Sequence, residues 1–246
     1  FFKPRGVICI PSGVTTVEKR AVLEAAIQSG AASTYLIEEP IAAAMGAGLE
    51  ISESRGAMVV DIGGGTTDVA VMSLGGIVVS DSLRVGGDKF DEAIIRFVKR
   101  EFNVLIGEPT AEEIKIKVAT VFEGHRSEQI DVRGRDLVSG LPTTIKLNSE
   151  QIYKALQEPV AMLIGCVRSI LEKTPPELSS DIIDRGIVLT GGGALLDGMP
   201  ELLQAETGIA TIVAENPLEC VAIGTGRVLT SLEKLKSSVV MTNSRK

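Results

Sequence analysis

The run Asp61-Ile62-Gly63-Gly64-Gly65-Thr66-Thr67-Asp68-Val69 constrains this chain more than any other segment. It follows the apolar stretch Ala57-Met58-Val59-Val60 and leads into Val69-Ala70-Val71-Met72. Three consecutive glycines between two strand-like runs make a tight turn with bare amides. Glycine tolerates positive φ and, lacking Cβ, lets a ligand touch the backbone. Successive exposed N–H groups form an anion nest suited to phosphate. Asp61 stands at the strand end, placed to hold a metal-bound water, and Thr66 and Thr67 add hydroxyls. The pattern points to a nucleoside triphosphate gripped by its tail. A plain glycine-rich hairpin is the alternative, although a simple hairpin needs only one or two such residues.

Other phosphate loops fit poorly. A Walker A loop requires Gly-Lys-Ser/Thr opening a helix, and no such lysine follows here. A Rossmann fingerprint also runs into a helix, whereas the residues after Thr67 alternate as a strand does.

The 246 residues suffice for a large core and two lobes. An apolar content of 44% argues for a globular chain. A net charge of -7 argues against a nucleic-acid surface. Cys9, Cys166 and Cys220 are odd in number and widely spaced, as buried thiols in a reducing compartment would be. His125 is the only histidine, which nearly excludes histidine metal centres and Ser-His-Asp triads. No apolar run reaches the length of a membrane span. The chain opens at Phe1-Phe2-Lys3-Pro4 without a methionine and reads as part of something longer.

Residues 6–11 and 34–37 read as strands joined by a helix over 16–29, a βαβ unit. Ser12 or Thr15 could cap that helix, and Val17, Ala21, Ala25 and Ala26 fit its apolar stripe. Glu38-Glu39-Pro40 opens a small-residue helix over 41–47, and the polar stretch 50–55 follows as a linker. Residues 57–83 read as a three-stranded meander with a Gly75-Gly76 turn. Gly86-Gly87-Asp88 caps a helix over 89–101, and a second helix covers 110–121 with Glu112, Glu113, Lys115 and Lys117 on its surface. Short strands are expected at 130–133 and 144–147. Ser149 should cap a long helix over 150–173, kinked or broken at Pro159. Residues 186–190 form a strand running into Gly191-Gly192-Gly193. A helix at 199–207, a strand at 211–213 and a last helix over 218–235 complete the chain, with a frayed polar tail from 237.

Glu39 after a strand, Asp61-Ile62-Gly63-Gly64-Gly65-Thr66-Thr67, and Leu189-Thr190-Gly191-Gly192-Gly193 occur in an order that resembles the actin, Hsp70 and sugar-kinase superfamily. Within it the chain is most similar to the bacterial actin homologues of the MreB/Mbl family. Leu36-Ile37-Glu38-Glu39-Pro40, Thr174-Pro175-Pro176-Glu177-Leu178, Arg185-Gly186-Ile187-Val188-Leu189 and Cys220-Val221-Ala222-Ile223-Gly224-Thr225-Gly226 carry that likeness across essentially the whole length.

The resemblance implies an α/β, actin-like ATPase fold of two RNase H-like lobes, with lobe I incomplete at its N-terminus. Residues 1–53 would be the remainder of lobe I, and 54–222 lobe II. Within lobe II, 54–86 and 152–222 would form the core, with a subdomain inserted at about 87–151. Residues 223–246 would return a helix to lobe I and end in a tail.

The resemblance also implies ATP and Mg²⁺ as cofactors. Asp61 would hold the Mg²⁺ shell through water. Gly63, Gly64 and Gly65 would offer amides to the β- and γ-phosphates, and Glu39 and Thr66 would position the attacking water. Gly191, Gly192 and Gly193 would pass beneath the adenosine. Glu112 and Lys115 would reach ribose and adenine, and Gly86, Gly87 and Asp88 would line the cleft near the sugar. Taken alone, Glu112 and Lys115 read equally as a solvated ion pair, and Asp68 as a strand-surface residue.

The family's first phosphate hairpin has no counterpart here, so slow Mg-dependent ATPase activity is expected of the full-length protein and not of this segment alone. The expected partners are copies of itself, in head-to-tail filaments that pair through the helix carrying Val17. The inner face of the cytoplasmic membrane and membrane proteins of cell-wall elongation complete the set; nucleic acid is not among them. Phe1 and Phe2 match the end of a loop that would dip into the bilayer, and read equally as the start of a strand. A rod-shape-determining filament protein, cytoplasmic and peripheral at the membrane, is the implied function. An Hsp70-like chaperone ATPase and a small-molecule kinase are the alternatives.

Overall fold

The computed structural model describes residues 3–231 and 240–243. The first lobe begins with β1 (Arg5–Ile10), α1 (Thr16–Gln28), β2 (Ser33–Glu38) and α2 (Glu39–Gly46). β1 and β2 pair in parallel from Arg5↔Ser33 to Ile10↔Glu38, as a βαβ unit requires. Thr15, and not Ser12, caps α1. Its hydroxyl accepts the Glu18 N–H, and the Glu18 carboxylate accepts the Thr15 N–H in return.

The expected stripe on α1 faces the wrong way. Val17 is 78% exposed, Ala21 and Ala25 are also exposed, and only Ala26 is half-buried. Leu23 and Val22 turn inward instead, against Ile10 and Leu36. Branched side chains bury more apolar area than alanines, and that difference selects the face.

The second lobe is built on β3 (Ala57–Ile62), β4 (Thr67–Ser73) and β5 (Gly76–Leu83). After them come α3 (Gly87–Phe102), β6 (Val104–Leu105), α4 (Glu108–Val118), β7 (Gln129–Asp136) and β8 (Pro142–Asn148). Then follow α5 (Ser149–Lys173), α6 (Pro176–Arg185), β9 (Ile187–Thr190), α7 (Met199–Thr207) and β10 (Thr211–Val213). The main sheet runs β10-β9-β3-β4-β5, and β6-β7-β8 forms a separate small sheet. The short strand β6 and the helix α6 have no counterpart in the sequence reading.

Alternation along β3 and β4 sorts the two faces of the main sheet. Met58, Val60, Ile62, Val69 and Val71 join the large core with α3 and α5. Val59, Ala70 and Met72 meet the alanines of α2 on the other face. Both strands are therefore buried on both sides, and the first lobe sits on the second face.

The β4–β5 turn lies one residue earlier than expected, at Leu74-Gly75 rather than Gly75-Gly76. Leu74 (φ 52°) and Gly75 (φ 77°) are both left-handed, as a two-residue hairpin turn requires. The Leu74 N–H donates to Glu53 O and the Gly75 N–H to Ile51 O, each at 2.7 Å. The 50–55 stretch thus pins the turn in this register.

α5 runs through Pro159 without a break, and its N-cap is Asn148, in a capping box with Gln151, rather than Ser149. Burial of Leu156, Val160, Leu163, Val167 and Ile170 along one face offsets the hydrogen bond that proline forfeits.

The chain then returns to the first lobe. α8 (Cys220–Ser231) packs on α2, and β11 (Val240–Asn243) pairs antiparallel with β2. Residues 240–243 are therefore a paired strand, where a frayed tail was expected. β2 would otherwise present an unpaired edge. Phe1, Phe2, residues 232–239 and the last three residues lie outside the described part. The cysteines are free, with Cys166 and Cys220 buried and Cys9 half-buried.

Candidate functional site

The loop between β3 and β4 is closed by the Gly63 N–H donating to Thr66 O at 2.9 Å. Behind it stands the start of α3. Gly87 N–H donates to Gly63 O at 3.0 Å, and Asp88 N–H to Gly64 O at 2.8 Å. The loop's carbonyls are thus taken up on its inner side. Among the described residues, no acceptor takes the amides of Gly64 and Gly65, and both residues are exposed.

Packing does not demand glycine at these two positions. A Cβ at Gly64 would meet only the Asp88 carboxylate, at 3.5 Å, and one at Gly65 the same group at 3.9 Å. Both are ordinary contacts. Glycine there costs chain entropy with no return inside the protein, as expected of a loop that something else must approach.

Gly86, Gly87, Asp88 and Lys115 form a second layer behind this loop. A Cβ at Gly86 would press on Gly63 O and Gly64 O, at 2.5 and 2.6 Å. The Lys115 ammonium donates to Gly87 O at 3.2 Å and to Asp91 at 2.8 Å. It is largely buried rather than a surface residue, with its side chain 17% exposed. Glu112, one turn earlier on α4, is exposed.

Three carboxylates converge in front of the loop. Asp61, 7% exposed at the end of β3, accepts the Thr190 hydroxyl at 2.9 Å. Burial pushes its pKa up to about 6, Thr190 pulls it back, and Asp68 pushes it further. Glu39 opens α2, half-buried and with no ion-pair partner among the described residues, whereas the adjacent Glu38 pairs with Lys19 at 2.8 Å. Burial raises the Glu39 pKa, and the charges of Asp68 and Asp61 raise it further.

Asp68, expected on a strand surface, is only 1% exposed. β4 is an interior strand covered on both faces, so its alternation carries no surface side. Burial raises its pKa too, while the Ser82 side chain, the Ser12 backbone and the Thr66 side chain lower it. The Cys9 thiol, pushed up to about 12 chiefly by burial, stays protonated beside this acidic group.

Among the described residues these acids do not form a direct chelating cluster. An uncompensated group of buried carboxylates fits a hydrated divalent cation, held through water. Thr190, Asp68 and Asp91 are the site-forming residues that sequence reasoning missed. For Thr190 the signal was available, since it ends the strand that runs into the second glycine run.

That second run lies beside the first because β9 pairs in parallel with β3, Asp61 against Thr190. Ligands collect at the carboxyl ends of such strands. Gly191 has φ 77°, and a Cβ there would overlap Ile62 O. A Cβ at Gly193 would overlap the Ile62 side chain. These two glycines answer to the protein's own packing, while Gly192 is exposed.

His125, in a polar loop, lies 3.0 Å from Asp197 and ties that loop to the start of α7. A separate cleft of about 370 Å³, bordered by Thr120, Arg126, Ser149 and Tyr153, lies at the foot of α5 and shares no residue with the glycine loops.

Residues 1–237 match the family described as MreB/Mbl protein. Over 235 residues the chain is 57% identical to the cell shape-determining protein Mbl of Bacillus subtilis, covering 96% of this chain and 71% of that one. It is 54% identical to the cell shape-determining protein MreB of Escherichia coli over 94% of this chain and 66% of that protein. The crystal structure of MreB 5 of Spiroplasma citri bound to AMPPNP superposes with a TM-score of 0.89 at 38% identity, over 94% of this chain and 69% of that chain. The architecture is accordingly the actin-like α/β fold. Two glycine loops at the ends of adjacent parallel strands, a buried acidic group between the lobes, and agreement along nearly the whole chain lead to one assignment: this chain belongs to the MreB/Mbl family.

Proposed function

We propose that this chain is the greater part of an ATP-dependent, actin-like filament protein that determines rod cell shape by organising cell-wall synthesis. The observation that carries the nucleotide reading is the pair Gly64 and Gly65, with unclaimed amides and no steric need for glycine. The AMPPNP-bound Spiroplasma relative supports it.

In this reading the amides of Gly63, Gly64 and Gly65 seat the β- and γ-phosphates. Asp61 would hold a magnesium ion through water, and such an ion would supply charge neutralisation at the phosphates. Glu39 and Thr66 orient the attacking water. Phosphoryl transfer has a loose transition state, so positioning and charge stabilisation do most of the catalysis. A carboxylate is a weak base even when burial raises its pKa, which suits slow, switch-like turnover.

Gly191, Gly192 and Gly193 pass beneath the adenosine, and Glu112 and Lys115 flank sugar and base from α4. Lys115, already bound to Asp91 and Gly87, also braces the start of α3 behind the phosphates. Gly86, Gly87 and Asp88 close the cleft near the sugar. The lobes divide at about residue 54, with the inserted subdomain at about 87–151 and the chain returning to lobe I from 223.

ATP-driven lobe closure would promote head-to-tail polymerisation. The exposed Val17 on α1 suits pairing of filaments through that helix. Among the described residues no helix is long and apolar enough to cross a membrane. Attachment to the inner face of the cytoplasmic membrane would instead come from Phe1 and Phe2, multiplied along the filament, with membrane proteins of cell-wall elongation as partners.

Sedimentation of the full-length protein with Mg-ATP and acidic lipid vesicles, with phosphate release followed in the same tube, tests this. ATP-dependent pelleting with slow phosphate release is expected. A soluble monomer that hydrolyses ATP only when peptide or sugar is added would overturn the reading.

A further inference from the structure

A row of four polar residues crosses the main sheet on the face toward α2. Strand register sets Thr190 beside Asp61, Asp61 beside Asp68, and Asp68 beside Ser82, on β9, β3, β4 and β5. Directly paired residues project to the same face, and like charges placed so destabilise a sheet. A pair of carboxylates at this spot therefore works against the fold unless something bound there offsets it.

The two acids differ in how they are satisfied. Asp61 accepts the Thr190 hydroxyl. Asp68 is 1% exposed; the Ser82 and Thr66 side chains and the Ser12 backbone lie against its carboxylate, yet its Oδ1 is buried with no hydrogen-bond partner. Among the described residues no lysine, arginine or histidine pairs with it. Ser12, in the loop before α1, carries a second buried hydroxyl without a partner, and its backbone lies against Asp68. A buried, unsatisfied polar group destabilises a fold, and a charged one does so more strongly. Water could satisfy a hydroxyl, but two facing carboxylates with Glu39 nearby also call for positive charge.

We propose that Asp68 is a positioning residue of the nucleotide site, its free carboxylate oxygen sharing with Asp61 the water shell of the divalent cation. This rests on the nucleotide reading above and assigns a role to a residue that the phosphate loop alone does not reveal. Ser12 would meet the same shell from the first lobe, so that the cation's waters bridge the two lobes.

The test uses Asp68→Asn in the full-length protein, which keeps the shape and removes the charge. Binding of a fluorescent ATP analogue is titrated against Mg²⁺, with a parallel series in EDTA. The Mg²⁺ needed for half-maximal nucleotide retention should rise about tenfold, the range typical of an outer-shell partner. Affinity in EDTA should not change, and Asp68→Glu should recover part of the Mg²⁺ dependence. An unaltered Mg²⁺ dependence would overturn the proposal, as would an equal loss in Mg²⁺ and in EDTA. Failure of Asp68→Asn to fold, judged by circular dichroism, would also overturn it, because the carboxylate would then serve the fold itself. A wild-type protein that retains no nucleotide at any Mg²⁺ concentration would sink the nucleotide reading instead.

Discussion

Where α2 crosses α8, a Cβ on Gly46 would lie inside the Cys220 carbonyl, and one on Gly224 inside the Ala42 carbonyl. At the loop between β3 and β4, a Cβ on Gly64 or Gly65 would find only the Asp88 carboxylate, at 3.5 and 3.9 Å. The same residue type is thus present for opposite reasons. At the helix crossing, glycine lets two backbones of this chain touch. At the loop, it leaves room that the protein does not use. Only the second arrangement implies a visitor, and counting glycines in the sequence does not tell the two apart.

The sharpest way to break this comparison is Gly224→Ala. Backbone has no room to yield there, so a loss of about 3 kcal/mol or more is expected in denaturant unfolding. A variant with wild-type stability would show that the helices part readily and that the crossing is not tight.

The acidic group offers the next largest effect. Asp61 has a folded pKa of about 6 against an ordinary 3.8, so the native state holds this proton more tightly than the unfolded chain does. Its contribution to stability is full below about pH 4 and is lost as pH rises through 6. Asp61→Asn should therefore make the nucleotide-free protein more stable at pH 7.5, by up to about 3 kcal/mol, with a smaller gain at pH 5. Denaturant midpoints at the two pH values check this. A variant less stable than wild type at pH 7.5 would show that the carboxylate is offset within the protein.

Gly64→Ala probes the loop side of the comparison. Fold stability should stay level or rise by about 0.4–1 kcal/mol, since alanine lowers unfolded-chain entropy. Nucleotide affinity should fall about tenfold, equivalent to about 1.4 kcal/mol. Unchanged affinity in equilibrium dialysis would remove the visitor from the explanation. The smallest effect belongs to Gly226, two residues beyond Gly224 in α8, where a Cβ would meet nothing within 4 Å. Gly226→Ala should raise the thermal midpoint through about 0.5–1 kcal/mol of helix propensity. A fall would mean that this face of α8 is covered in the working protein.

Much of the secondary structure was legible because short-range chemistry decides it. Thr15 and Glu18 make a capping box from four adjacent positions, and alternating apolar runs give β3 and β4 their period. The errors share a cause. The α1 stripe was misjudged because the winning face depended on Leu23 meeting Ile10 and Leu36, far away in sequence. The Leu74-Gly75 turn was misplaced by one residue because Ile51 and Glu53 hold it. Residues 240–243 looked like a tail because their partner, β2, lies some 200 residues earlier.

The candidate site divides in the same way. Local sequence patterns were enough to place the three glycines of the β3–β4 loop, Asp61 at a strand end and Glu39 at a helix start, since each belongs to a strand, a turn or a first helical turn. Tertiary structure alone decided that Asp68 is buried opposite Asp61, that Thr190 donates to Asp61, and that Lys115 is tied to Asp91. Those relations depend on strand register and on helices packing across the sheet. Burial, too, is a property of what covers a residue, and for Asp68 the cover is the sheet's second face and the first lobe laid over it.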